Sequence, residues 1–218
     1  MIWLTKTLFS SVGKKILMAL TGLFLILFLV EHLVGNFLLF AGDGGESFNA
    51  YSEYMQHNVL IRTVEILLFL AIILHVLDAL RLTKENRKAR PSRYIVNQPA
   101  ENSTWFSRNM GMSGSIVFVF LVLHLRTFFV GVRLLGDFEG DMYAGVVNAF
   151  SHAWYAGFYV AAMVLLCFHL MHGFSSAFQT LGLNHKKYTP FIIGLGVGFS
   201  VLVSAGFASM PVYFYFMK

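Results

Sequence analysis

The sequence predicts an all-α integral membrane bundle of five transmembrane helices, N-terminus cytoplasmic and C-terminus outside. Three observations predict it. The 218 residues are 57% hydrophobic and only 12% charged, where a soluble domain carries roughly 25% charged residues. The apolar residues gather into five windows, each long enough to cross a bilayer as a helix of about 20 residues. The remaining charges alternate in sign from one connection to the next. Little chain lies between the windows, so residues 1–218 form a single transmembrane domain.

Before the first window, Met1–Gly13 mixes Ile2, Trp3, Leu4, Leu8 and Phe9 with Lys6 and serines. That composition suits a short helix lying in the interface or a loose basic tail. The first window, about Lys15–Ala41, is too long for the core of a secretory signal and lacks a small-residue cleavage site. It is expected to remain in the mature chain. The second and third windows, about Val59–Leu82 and Met110–Leu135, flank a long basic connection with Lys84, Arg87, Lys88, Arg90, Arg93 and Arg108. The fourth and fifth, about Ala153–Phe178 and Phe191–Met217, flank Lys186 and Lys187. The connections after windows one and three carry Asp43, Glu46 and Glu53, then Asp137, Glu139 and Asp141, and neither holds a Lys or Arg. Positive-inside counting therefore puts the N-terminus and the basic connections in the cytoplasm. The net charge of +5 reflects topology and membrane lipid, not nucleic acid. Glycines 194, 196, 198 and 206 of the last window suit close helix packing. Tyr213 to Phe216 suit an interfacial aromatic belt.

Five histidines lie inside the windows: His32, His75, His124, His169 and His172. An imidazole in hydrocarbon is costly and marks a protein interior or a ligand site. Position converts to depth at about 1.5 Å per residue. His32 lies nine residues before Ala41 and His124 eleven before Leu135, about 14 and 16 Å from the outer edge. His75 lies sixteen residues after Val59 and His172 nineteen after Ala153, about 24 and 28 Å down. The result is two depth-matched pairs, His32 with His124 in an outer layer and His75 with His172 in an inner one. Two imidazoles at one depth on two helices are the ligand set of a bis-histidine haem. The single Cys167 and the lack of a C-x-x-C-H motif exclude covalent attachment, so the expectation is two non-covalent haems b. His169 lies three residues from His172 on nearly the same face and is an alternative inner ligand. Gly173 beside His172 favours His172, because glycine admits a macrocycle close to the backbone. His57, His152 and His185 fall at the ends of windows and are expected to be interfacial.

The segments Glu31-His32-Leu33-Val34-Gly35-Asn36, His75-Val76-Leu77-Asp78-Ala79-Leu80-Arg81, His124-Leu125 and His172-Gly173-Phe174 resemble the membrane anchor of succinate dehydrogenases and fumarate reductases, of the single-chain five-helix di-haem cytochrome b type. Ser10–Lys15, Met18–Gly22 and Ser176–Gly182 share the likeness. The resemblance implies a flavoprotein subunit bearing FAD and an iron–sulfur subunit, both on the cytoplasmic face of a bacterial inner membrane. It also implies a quinone, usually menaquinone, near the outer haem. In the implied activity, electrons pass between the iron–sulfur partner and quinone, with no dicarboxylate site in this chain. Some fumarate reductases of this type carry a glutamate two residues before the fourth-helix ligand, in a proton path. Leu170 stands there if His172 is that ligand.

Glu31, Glu65 and Arg126 all fall in the outer half and are the candidate quinone residues. Arg126 and Glu31, level with the outer histidines, suit either a haem propionate or quinone contact or a structural ion pair. Glu65 also suits a residue snorkelling to the interface. Asp78 and Arg81 are spaced for an intrahelical pair. Two other functions fit the histidines: the cytochrome b anchor of a hydrogenase or formate dehydrogenase, and a His-dependent transporter. Broken helices and internal repeats, the usual marks of a transporter, are missing from the sequence.

Overall fold

The computed structural model describes residues 10–88 and 105–217. The expected N-terminal interfacial segment therefore falls almost wholly outside the described residues, as does the centre of the long basic connection. Ser10 caps the first helix, its Oγ accepting from the Gly13 N–H at 3.0 Å, a contact worth about 1 kcal/mol. The helices in order are α1 (Ser11–Asn36), α2 (Glu46–His57), α3 (Val59–Lys88), α4 (Trp105–Arg108), α5 (Met110–His124), α6 (Met142–Phe150), α7 (Ala153–Thr180) and α8 (Thr189–Phe216). A 3-10 turn, Phe37–Phe40, extends α1, and a π-helical segment, Leu125–Leu134, extends α5. Among the described residues there is no strand. Five of these helices, extensions included, are long and apolar enough to cross a membrane, and they coincide with the five predicted windows.

Three features depart from the sequence reading. α2 and α6 occupy connections read only as loops. α3 continues past the predicted Leu82 to Lys88, because Arg81 and Glu85 pair one turn apart at 3.3 Å and sustain the helix beyond its apolar run. The outer part of the third window is a π-helix rather than an α-helix.

Lys14 Nζ meets Glu85 Oε1 at 2.6 Å, which ties the start of α1 to the end of α3 on one face of the bundle, here the near face. On the opposite, far face, α2 and α6 interlock. Asn49 Nδ2 donates to Asp141 Oδ1 at 2.8 Å, and the Tyr143 N–H donates to Asn49 Oδ1 at 3.0 Å. Gly45, at φ +97°, starts α2 directly beneath the Tyr143 ring, where neither that backbone angle nor the space would admit a Cβ.

The hub is α7, whose buried residues Tyr155, Tyr159, Ala162, Met163, Leu166, Leu170 and Phe174 recur at helical spacing. α1 packs along α3 and α7, α5 packs along α7, and α3 meets α5 only lightly. α1 and α5, like α3 and α7, scarcely approach each other. The four helices thus form a ring in the order α1, α3, α5, α7, with two open diagonals. α8 lies outside the ring against α7 and α1. Two of its four glycines make the expected close contacts: a Cβ on Gly196 would lie 2.7 Å from Phe174 Cδ1, and one on Gly206 would lie 3.0 Å from Leu33. Gly194 and Gly198 face open space.

Candidate functional site

Each diagonal of the ring is bridged by one pair of imidazoles. In the far half, His32 of α1 and His124 at the end of α5 face each other with ring centroids 5.8 Å apart and planes at 88°. Phe28 stacks on His32 at 5.1 Å, and Phe120, Phe128 and Phe207 border the pair. His124 Nδ1 lies 3.2 Å from the Tyr159 hydroxyl. Tyr159 is 3.2 Å from the Tyr155 hydroxyl, which donates to Thr127 Oγ1 at 2.7 Å. Thr127 belongs to the π-helical segment, and such segments often mark functional sites. Asn36 Nδ2 donates to the His32 carbonyl at 2.7 Å and stands 3.4 Å from His32 Nδ1.

In the near half, His75 of α3 faces His169 of α7, with centroids 6.4 Å apart and planes at 68°. The sequence reading preferred His172 as the partner of His75, and here the geometry differs. Three residues place His172 about 60° around the helix from His169, and the ring that faces His75 across the diagonal is that of His169. Gly173, which motivated the preference, faces the Met110 methyl. The glycines that face imidazoles are Gly22, whose Cβ would lie 3.4 Å from His75 Cε1, and Gly114, 3.3 Å from His169 Cε1. With His169 in the pair, the position two residues earlier is Cys167. Like Leu170, it offers no carboxylate.

Contacts on three helices measure the spacing of the two layers. Thr21, which touches His75, is eleven residues from His32 on α1. Gly114, beside His169, is ten residues from His124 on α5, and Tyr159, beside His124, is ten from His169 on α7. Each interval is roughly 15 Å along a helix axis. The layers are therefore farther apart than window counting implied.

The donor set is four imidazoles, two and two. Among the described residues no cluster of three or more His, Cys, Asp or Glu side chains could hold a bare metal ion. Two facing imidazoles are the donor set that would hold a haem b, were one bound. His169 Nδ1 is buried without a hydrogen-bond partner, a cost a protein seldom leaves uncompensated. Across each diagonal the helix backbones stay apart and only the rings meet. The residues present fit a haem b at each pair.

The other candidate residues are scattered. Glu31 is exposed and accepts a hydrogen bond from the Tyr51 hydroxyl of α2. Burial first, then the Glu31 hydrogen bond and charge, push the Tyr51 phenol above its ordinary range. No ion pair joins Glu31 to Arg126 among the described residues. Arg126 is exposed, and its guanidinium shares the space around Gly131 with the Asp137 carboxylate. Glu65 is no mere snorkelling residue: Arg62 and Arg133 both reach it at 2.7 Å. The Arg133 guanidinium also covers the Phe129 ring at 4.9 Å. Asp78 is buried with Oδ2 unpartnered, and the Arg81 guanidinium reaches Glu85 instead. An open groove of about 620 Å³ lies on the near face beside Asn184, His185 and Lys186, remote from the histidine pairs.

A ring of membrane-length helices with facing imidazoles at two depths defines a polytopic membrane protein with paired histidines in its interior. The chain belongs to the succinate dehydrogenase/fumarate reductase transmembrane subunit family, whose family model matches residues 83–205. His124, His169 and His172 fall within the match, while His32 and His75 precede it. No curated protein and no solved structure matches the chain. Family membership makes it a multi-pass membrane subunit of an oxidoreductase complex, which sets aside the hydrogenase anchor and the transporter.

Proposed function

We propose that this chain is the haem b membrane anchor of a succinate:quinone or quinol:fumarate oxidoreductase, carrying electrons between an iron–sulfur partner and quinone. One observation carries the reading: two imidazole pairs span the two open diagonals of one ring at two depths. In this proposal His32 and His124 hold the far haem, and His75 and His169 the near one. A haem b held by two imidazoles supplies one-electron redox capacity inside the bilayer. The protein supplies opposed imidazoles at fixed depth, an aromatic wall and exclusion of water.

The near face is cytoplasmic in this reading, since Lys14, Lys15, Lys84, Lys186 and Lys187 lie there. The iron–sulfur subunit, with its FAD-bearing flavoprotein partner, docks on it, steered by that basic charge. The membrane is the bacterial cytoplasmic membrane. Quinone, menaquinone for a di-haem anchor, reacts in the far half near Glu31 and Arg126. Quinol oxidation releases two protons and quinone reduction takes up two, so the site needs a route to water. Glu31, exposed and bonded to Tyr51 of a far-face helix, can pass a proton toward that surface. Glu65 belongs to the same half, but its two arginine partners make it a structural tie more than a proton carrier.

The test is a reduced-minus-oxidised spectrum of the intact complex with haem quantitation. Two haems b per chain are expected. His75→Ala and His169→Ala should remove one spectral component, and His32→Ala and His124→Ala the other, while His172→Ala keeps both. One haem per chain or none would refute the reading.

A further inference from the structure

In each pair, one imidazole is anchored through Nδ1 by a hydroxyl and its partner is not. The direction of each anchoring bond can be worked out from donors and acceptors. The Thr21 hydroxyl donates its single proton to the Leu17 carbonyl at 2.8 Å. Toward His75 Nδ1, 3.1 Å away, the Thr21 oxygen can then only accept. His75 therefore carries its proton on Nδ1 and leaves the Nε2 lone pair free. The same logic runs along the far chain. Tyr155 donates to Thr127 and so accepts from Tyr159, which accepts from His124 Nδ1–H. Thr21, Tyr155 and Tyr159 are all buried, at 7%, 8% and 5% exposure, so water does not compete for these bonds. The opposing rings lack this support. The side-chain amide nearest His32 Nδ1 is a donor at 3.4 Å, and His169 Nδ1 has no partner.

We infer that Thr21 and Tyr159 are positioning residues, each fixing one imidazole of a pair in the Nδ1–H tautomer with Nε2 presented across the diagonal. The inference rests on the haem reading proposed above. An acceptor on Nδ1–H makes an imidazole a stronger electron donor to a metal at Nε2, which favours the oxidised iron. The anchoring hydroxyls therefore lower the potential of the iron they serve, and each serves a different one. Tyr155 and Thr127 act through Tyr159 by keeping its oxygen turned to accept.

The experiment is a redox titration of the two b-type components in the purified complex, with their assignment taken from the histidine variants. Tyr159→Phe should raise the midpoint potential of the component lost in His124→Ala and leave the other in place. Thr21→Val should raise the component lost in His75→Ala, and Thr21→Ser, which keeps the hydroxyl, should restore it. Tyr155→Phe should move the same component as Tyr159→Phe, in the same direction and by less. Low-temperature electron paramagnetic resonance of the oxidised irons should show one altered signal per variant. Loss of one haem with the other retained supports the anchoring role. The inference is overturned if neither potential moves, if both variants shift the same component, or if either variant loses both haems. Wild-type complex without two haems b would instead overturn the haem reading itself.

Discussion

Where α3 meets α5 and its π-helical extension only lightly, Glu65 forms a charged tie across that side of the ring, and its strength can be worked out. Glu65 holds two arginines at the same distance, 2.7 Å, in very different surroundings. The Arg133 side chain is 14% exposed and that of Arg62 45%, against 18% for Glu65. At an effective dielectric of about 20, unit charges about 3 Å apart attract by roughly 5 kcal/mol. Desolvation and side-chain ordering remove most of that. Coupling across membrane helices seldom exceeds about 1.7 kcal/mol, and an exposed pair spaced i,i+3 contributes about 0.5 kcal/mol or less. The expected coupling energies are about 1.5 kcal/mol for Glu65 with Arg133 and below about 0.5 for Glu65 with Arg62. Two double-mutant cycles, Glu65→Gln with Arg133→Gln and Glu65→Gln with Arg62→Gln, would measure them by denaturant unfolding in mild detergent, followed by circular dichroism. Raising the salt should abolish the Arg62 coupling and leave most of that with Arg133. Equal couplings in the two cycles, or none with Arg133, would refute the reasoning.

Three further outcomes are expected. Gly114→Val should displace the His169 ring, because even a Cβ there lies 3.3 Å from its Cε1; the near spectral component should be lost and the far one kept, and the reverse pattern would contradict the pairing. Gly196→Ala should destabilise the contact of α8 with α7 by about 1–3 kcal/mol, since its Cβ would fall 2.7 Å from the buried Phe174 ring; thermal unfolding in detergent reports it, and an unchanged midpoint contradicts it. Hydrogen bonds from Ser47 hold the Asp43 carboxyl below its ordinary 3.8. A depressed folded value means that this support for the start of α2 is present above the unfolded value and is lost as the pH falls through the folded one. A spin label on α2 should gain mobility below about pH 4 in the wild type and show no such transition in Asp43→Asn.

The spanning helices were legible because each is an unbroken apolar run, and a bilayer allows such a run little else. Their ends were less so: α3 outlasts its apolar run because charged helix formers continue it. α2 and α6 went unread, although Asp141, whose side chain accepts from the Ala144 N–H at 2.9 Å, is a recognisable cap signal. The π-helical segment could not be read at all, since its register depends on contacts such as Arg133 with Glu65 and Thr127 with Tyr155 that only the assembled bundle provides. Depth counting paired helices α1 with α5 and α3 with α7. It preferred His172 to His169, with Gly173 in support, and missed that the choice turns on azimuth, which neighbouring helices set. Tyr159 and Thr21 were missed for the same reason. A tyrosine or threonine in an apolar helix carries no mark of which imidazole it faces. Glu31, Glu65 and Arg126 shared the outer half of the bundle but not a neighbourhood.

Because the facing histidines sit on helices that are not neighbours, the order of synthesis sets the order in which the two sites can exist. The first diagonal has both ends only after the third span has entered the bilayer, and the second only after the fourth. α8 then closes over the outside. A flat group clasped across either diagonal would act as a strut, stiffening a four-sided frame whose thinnest side, between α3 and α5, resists shear poorly. A chain starved of such struts would still insert in the membrane, yet present its partners with a docking surface free to skew.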